Sequence, residues 1–164
     1  MATRTTRATD TLDRAGVTYT IHEYTVTEKV GEGYGEAVAA AIGLPAGRVF
    51  KTLMAEVAGS PVVAVVPVTT RLSTRMLARA TGNKRADMMS PADAERATGY
   101  VTGGISPFGQ KRALDMYLDS SALSHPTIAV SGGVRGLQLE VEPGDLMRVT
   151  GATVAVLVED PADR

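Results

Sequence analysis

The chain of 164 residues has no cysteine. That single absence excludes disulfides, thiolate nucleophiles and Cys-based metal sites. It offers nothing that points to export, so a cytoplasmic location is the simple expectation. Histidine is nearly as scarce: His22 and His125 are the only two, far apart in sequence, and no metal site is expected of them. No apolar run reaches the roughly 18 residues that a membrane helix needs. The opening residues, with Arg4, Arg7 and Asp10, lack the apolar stretch of a signal peptide. A dominant charge is missing too. The formal net charge is −1, so general attraction to nucleic acid is weak and any RNA contact needs a local basic patch. Lysine occurs only as Lys29, Lys51, Lys84 and Lys111, which makes each one easy to weigh.

What remains is ordinary for a globular protein. Hydrophobic residues make up 44% and charged residues 21%, enough for one domain with a substantial core over residues 1–164. Helices are expected over about 5–15, 36–42, 73–80 and 90–99. Ser73 and Ser90 serve as N-caps, Pro91 takes a first helical position, and Gly16, Gly43, Gly82 and Gly99 act as stops. Alternation and β-branched residues predict strands over 17–24, 48–57, 114–118, 127–131, 137–141 and 153–158. The run Val62-Val63-Ala64-Val65-Val66-Pro67-Val68 suits a strand buried on both faces. Pro143-Gly144-Asp145 opens a short helix, and the polar tail 159–164 is expected to fray. Strands and helices mix without regular βαβ repetition. The expected architecture is α+β, a mixed, partly closed barrel-like sheet with peripheral helices.

Two features suggest chemistry. The first is the stretch Thr98-Gly99-Tyr100-Val101-Thr102-Gly103-Gly104-Ile105-Ser106-Pro107-Phe108-Gly109, four glycines and a proline in twelve residues. It forms no regular element and offers backbone N–H groups for a carbonyl or phosphate oxygen; a long surface turn is the plainer alternative. The spacing matches neither a Walker A loop nor a dinucleotide fingerprint, and no cofactor is expected. The second is Lys51, alone in Val49-Phe50-Lys51-Thr52-Leu53-Met54. On a strand it shares a face with Val49 and Leu53, where apolar surroundings lower an ammonium pKa unless an anion compensates. The alternative is an edge lysine whose head reaches water. Thr52 points the other way unless the strand end re-aims it. His22 reads as structural and Ser131 as a turn hydroxyl. Tyr24 and Tyr34 either pack or line a pocket. Arg71, Arg75 and Arg79 recur every four residues, as a solvated helix face or as contacts to RNA phosphates.

The chain resembles the YbaK family of aminoacyl-tRNA deacylases, relatives of the editing domain inserted in bacterial prolyl-tRNA synthetases. The resemblance covers nearly the whole chain. It is carried by Ile21-His22-Glu23-Tyr24, by Val49-Phe50-Lys51-Thr52-Leu53, by the glycine stretch through Gln110-Lys111, and by Val130-Ser131-Gly132-Gly133-Val134-Arg135-Gly136-Leu137. It implies an editing domain acting in trans on aminoacyl-tRNA, with prolyl-tRNA synthetase as a partner. Lys51 matches the family's essential lysine and Thr52 its neighbour in the site. Gly103 and Pro107 match a G-x-x-x-P loop whose backbone faces the aminoacyl ester. Tyr24, Tyr34 (a Phe in YbaK-like members) and Ser131 match pocket positions, and Tyr100 and Gly104 belong to the same motif. Cysteine-selective members carry an aspartate where this chain has Gln138, so one negative charge is lost. The activity implied is removal of cysteine from Cys-tRNA(Pro) by cyclisation of the substrate's own thiol. The alternatives are water-mediated removal of alanine or another small amino acid, and a non-catalytic module that binds tRNA or a synthetase.

Overall fold

In the computed structural model residues 4–27 and 29–159 are described, and the tail beyond Glu159 lies outside them. Strand β1 (Thr20–Glu23) follows helix α1 (Arg7–Arg14), whose N-cap Thr6 accepts from the Thr9 N–H. Then come helix α2 (Tyr34–Ile42), the hairpin β2 (Phe50–Val57) and β3 (Ser60–Pro67), and helix α3 (Thr74–Ala80). The short β4 (Asp87–Met88), α4 (Pro91–Thr98), β5 (Asp115–Asp119), β6 (Ile128–Ser131) and β7 (Leu137–Val141) follow. The described chain closes with α5 (Pro143–Thr150) and β8 (Thr153–Ala155). Ser73 and Ser90 cap α3 and α4 through the N–H groups of Met76 and Asp93, and Gly43 and Gly99 end α2 and α4 in the left-handed region.

The strands make two sheets rather than one barrel. The order β4-β2-β3-β5-β8 is mixed, antiparallel at β2–β3 and parallel at β3–β5 and β5–β8. The order β1-β7-β6 is antiparallel throughout. A single parallel bridge, Val49 to Ala129, joins the two sheets, and no closed barrel forms among the described residues. The α+β class with a mixed sheet holds.

The pleat explains the layers. On β2, Phe50 and Met54 face a core shared with Val63, Val65 and Leu118 of the same sheet and Val130 and Leu139 of the other. On the opposite face Ala55, Val57, Ala64 and Val66 pack under Leu77 and Ala78 of α3. The apolar run of β3 is therefore buried on both faces, and each such side chain contributes about 1.5–3 kcal/mol. α2 covers the junction, where Val38 and Ala39 meet Val49 and Ala129.

Some expected boundaries move. β1 begins at Thr20 because the Val17 N–H still bonds Leu12 O and belongs to the end of α1. β8 stops at Ala155 because the chain leaves the ladder: Leu157 N–H donates to Asp119 Oδ1 at 2.9 Å and Leu157 O accepts from Ser73 N–H at 2.8 Å. Arg71 precedes the Ser73 cap, so only Arg75 and Arg79 share a face of α3. Arg75 pairs there with Glu159 at 3.2 Å. No helix among the described residues is long and apolar enough to cross a membrane.

Candidate functional site

Gly35 lets α2 approach the end of β3 closely; a Cβ there would stand 2.4 Å from Val68 Cβ. This contact sets the first turn of α2, with Tyr34 and Glu36, beside the start of β2. Between them and the glycine stretch lies a cavity of about 670 Å³. Lys51, Thr52, Tyr34, Gly103, Ser131 and Gln138 all line it. They come from four separate stretches of the sequence, and each was singled out above.

Lys51 Nζ donates to Thr70 O at 2.7 Å. An ammonium has three donors, so the head keeps capacity for another acceptor. Burial lowers its pKa below the ordinary lysine value, Glu36 opposes that shift and Arg71 adds to it. Tyr34 is shifted the other way: burial first, then Tyr24, push its phenol up. Thr52 follows Lys51 on β2, and both line the cavity.

Three buried side-chain atoms have no hydrogen-bond partner among the described residues: Tyr34 Oη, Thr52 Oγ1 and Gln138 Oε1. All three residues line this one cavity. Buried polar atoms are almost always partnered, and an orphan costs about 1–3 kcal/mol. The three orphaned atoms are themselves closed off from the open space, so they are unmet needs of the cavity wall rather than exposed contacts. Gln138 is oriented by Tyr24, whose phenol oxygen accepts from Gln138 Nε2 at 3.3 Å. Tyr24 itself lines a neighbouring cavity.

The glycine stretch is a braced loop. Glu95 of α4 accepts from both the N–H and the hydroxyl of Thr102, at 2.7 and 2.9 Å. Those two bonds hold the Glu95 carboxyl below its ordinary pKa. Arg135 Nε donates to Thr102 O at 2.9 Å. Gly103 has φ +86, and a Cβ there would come within 2.7 Å of Arg135 Nε and of Val30. The Gly104 N–H is already taken by Val101 O at 2.9 Å. Gly103 and Ile105 of the loop line the cavity, and the Gly104 N–H is not a donor to it.

Besides Tyr24, which lines the neighbouring cavity, three expected site residues are not brought to this one. Gly104 packs under the Val134–Arg135 backbone, 3.0–3.1 Å from where its Cβ would be. Pro107 is buried beside the core residue Phe108. Tyr100 is buried as well; its hydroxyl donates to Phe108 O at 2.6 Å and the Arg7 guanidinium sits 4.9 Å over its ring. All three shape the loop from behind. Ser131 lines the cavity while its hydroxyl accepts the Gly133 N–H at 3.3 Å, as a turn hydroxyl does. His22 is structural, paired to Glu140 at 2.8 Å.

Glu36, Thr70 and Arg71 also line the cavity; sequence reasoning passed over the first two and placed Arg71 on a helix face with Arg75 and Arg79. The available signal for Thr70 and Arg71 was their position just after a doubly buried strand, where a loop leaves the sheet. The lining holds no histidine, and no group of three or more His, Asp or Glu suited to a metal occurs among the described residues. The chemistry on offer is two cations, Lys51 and Arg71, two carboxylates, Glu32 and Glu36, and uncharged hydrogen-bonding groups around one space.

A family model described as the aminoacyl-tRNA editing domain matches residues 33–149. The chain belongs to that family, and its class is that of enzymes which edit aminoacyl-tRNA by deacylation, of the YbaK type. Among individual proteins, a "Putative Cys-tRNA(Pro)/Cys-tRNA(Cys) deacylase EbsC" of Enterococcus faecalis is 41% identical over 123 residues, 73% of this chain and 74% of the relative. The uncharacterized YwhH of Bacillus subtilis is 30% identical over 68% of this chain and 71% of its own. A solved structure titled as a putative trans-editing enzyme for prolyl tRNA synthetase superposes with TM-score 0.81 at 25% identity, covering 94% of this chain and 96% of the other.

Proposed function

We propose that this protein is a trans-acting aminoacyl-tRNA deacylase that clears cysteine mischarged onto tRNA(Pro), without a cofactor. The observation that carries the reading is the meeting of Lys51 and Gly103 with Tyr34, Thr52, Ser131 and Gln138 in the lining of one cavity. The family and the named relatives supply the substrate class. The errors cleared would be those of prolyl-tRNA synthetase.

In this mechanism the protein supplies placement and charge rather than a nucleophile. The substrate sulfur attacks its own ester carbonyl, the bond to the ribose oxygen breaks, and the thiol proton passes to that oxygen. The products are a thiolactone and free tRNA. Lys51 neutralises the developing oxyanion or an adjacent phosphate, and the Gly103 amide holds the carbonyl. Tyr34, Thr52, Ser131 and Gln138 surround the amino acid.

A second reading draws on Gln138. Its amide keeps an acceptor, Oε1, but no charge at the position where cysteine-selective members carry aspartate. That change favours a water-mediated deacylase of alanine or another small amino acid. A panel of charged tRNAs decides. Cleavage of Cys-tRNA(Pro) with thiolactone release supports the first reading. Cleavage of alanyl- or seryl-tRNA to the free amino acid supports the second. Binding of tRNA with no turnover of any substrate refutes both and leaves a non-catalytic module. One well-placed donor is worth roughly 3–4 kcal/mol in a transition state. Lys51→Ala is therefore expected to lose at least about two orders of magnitude in deacylation while remaining folded, and retained activity would sink the assignment of Lys51.

A further inference from the structure

A second, open cavity of about 740 Å³ adjoins the first. The two share Val30, Tyr34, Pro91 and Thr102 as a common wall. Their linings differ in charge. The first holds Glu32 and Glu36 besides its cations, whereas the second has Lys29 and Arg135 and no carboxylate among its described lining residues. Neither cation forms an ion pair among the described residues. Both side chains are exposed. Arg135 spends its Nε on Thr102 O, which fixes the guanidinium at the cavity mouth and leaves its terminal nitrogens available. Tyr24, Thr25 and Thr27 complete the lining with an aromatic ring and two hydroxyls.

We propose that this second cavity is a nucleotide seat. It takes a phosphodiester-linked nucleotide of the single strand whose terminal, acylated nucleoside occupies the first cavity. Cations track the backbone of single-stranded nucleic acid and aromatic rings stack its bases without regard to sequence. Here Lys29 and Arg135 take the phosphate and Tyr24 takes the base. Tyr24 also orients Gln138, so the ring that carries the base touches the residue facing the amino acid. The seat explains how a protein of net charge −1 holds an RNA: the cations are placed where the strand enters. This inference rests on the deacylase reading for the identity of the strand.

The test is direct binding of a labelled, unacylated single-stranded RNA with the tRNA 3′ sequence, measured over a salt series. Each lost phosphate contact reduces the slope of log K against log salt by about 0.7. Lys29→Glu and Arg135→Ala are each expected to weaken binding and flatten the slope by that amount. Because Arg135→Ala also releases Thr102, Lys29→Glu carries the decision. Its deacylation of a 3′-aminoacyl-adenosine, which has no phosphate, is expected to stay at the wild-type rate, while that of full-length aminoacyl-tRNA falls. Unchanged RNA binding and salt slope in Lys29→Glu overturns the seat and leaves the deacylase reading standing. Wild-type protein that binds the RNA with the expected slope but cleaves no charged tRNA overturns the deacylase reading and keeps the seat.

Discussion

Lys51 is held at a cost in stability. Burial and Arg71 depress its pKa in the folded chain, so the folded state binds its proton less well than the unfolded state does. The sign follows: the penalty is fully present at pH values below the depressed pKa, and it is relieved as pH rises from there to the ordinary value of 10.5. Lys51→Met keeps the stem and removes the charge. Its melting temperature at neutral pH is expected to equal or exceed that of the wild type although the bond to Thr70 O is lost. The advantage should shrink as pH approaches 10.5, and deacylation should be abolished. Thermal melts across pH check this, and a variant much less stable than wild type at neutral pH would contradict it. A lone ammonium between Phe50 and Thr52 was conspicuous in the sequence because strands rarely bury one. Arg71 stood out only as part of a helix face with Arg75 and Arg79, because nothing local distinguishes a loop arginine facing a cavity from one facing water.

At the scale of the element, the glycine stretch is a fixed wall rather than a mobile turn. Its rigidity comes from outside: Glu95 on one side, Arg135 on the other, Tyr100 and Phe108 beneath. Gly103→Ala puts a side chain at φ +86 against Arg135 and Val30. A left-handed alanine costs about 1–2 kcal/mol, and the Arg135 brace must also move. Gly16 provides the control, at φ +69 with nothing within 4 Å of its Cβ position. Gly16→Ala should lose similar stability and keep full deacylation, whereas Gly103→Ala should lose both. Equal deacylation in the two variants would show that the Gly103 amide does not serve the reaction. Glycine content alone announced an irregular segment here. It could not tell that Gly103 lines the cavity while Gly104 is spent on Val101, because that depends on which neighbour each amide meets.

At the scale of the whole molecule, the site sits where two sheets meet, and a charged cluster ties them. Glu140 of β7 accepts from Thr127 at 2.6 Å and pairs with His22 of β1 at 2.8 Å. Arg48, just before β2 in the other sheet, lies 3.5 Å from the same carboxylate and donates to Thr127 O at 3.1 Å. The Thr127 hydrogen bond, then His22 and Arg48, hold the Glu140 pKa below its ordinary 4.5. Its stabilisation is therefore present above pH 4.5 and lost as pH falls through the depressed folded value. Glu140→Gln should destabilise at neutral pH by about 1.5 kcal/mol, near the low end for bonds to a charged group because the carboxylate is partly exposed. Denaturant unfolding at neutral and strongly acidic pH should show that gap closing on the acid side. A gap independent of pH would mean that packing, not charge, makes the junction.

Much of this architecture is written in the chain. Caps, glycine stops and the doubly buried run from Val62 placed most helices and strands within a few residues, because those signals act over one or two turns. Lys51 and the glycine stretch stood out for the same local reason, and the family motifs tied them together. Only the tertiary structure decided that the sheet divides in two at Val49 and Ala129, since strand partners follow from packing across long sequence separations. It also decided which residues of the motif face the cavity. Tyr34, Thr52 and Gln138 line it, whereas Tyr100 and Pro107 turn toward the core. Residue type is identical in either orientation, and the direction a side chain takes is set by the space left when the two sheets close on each other.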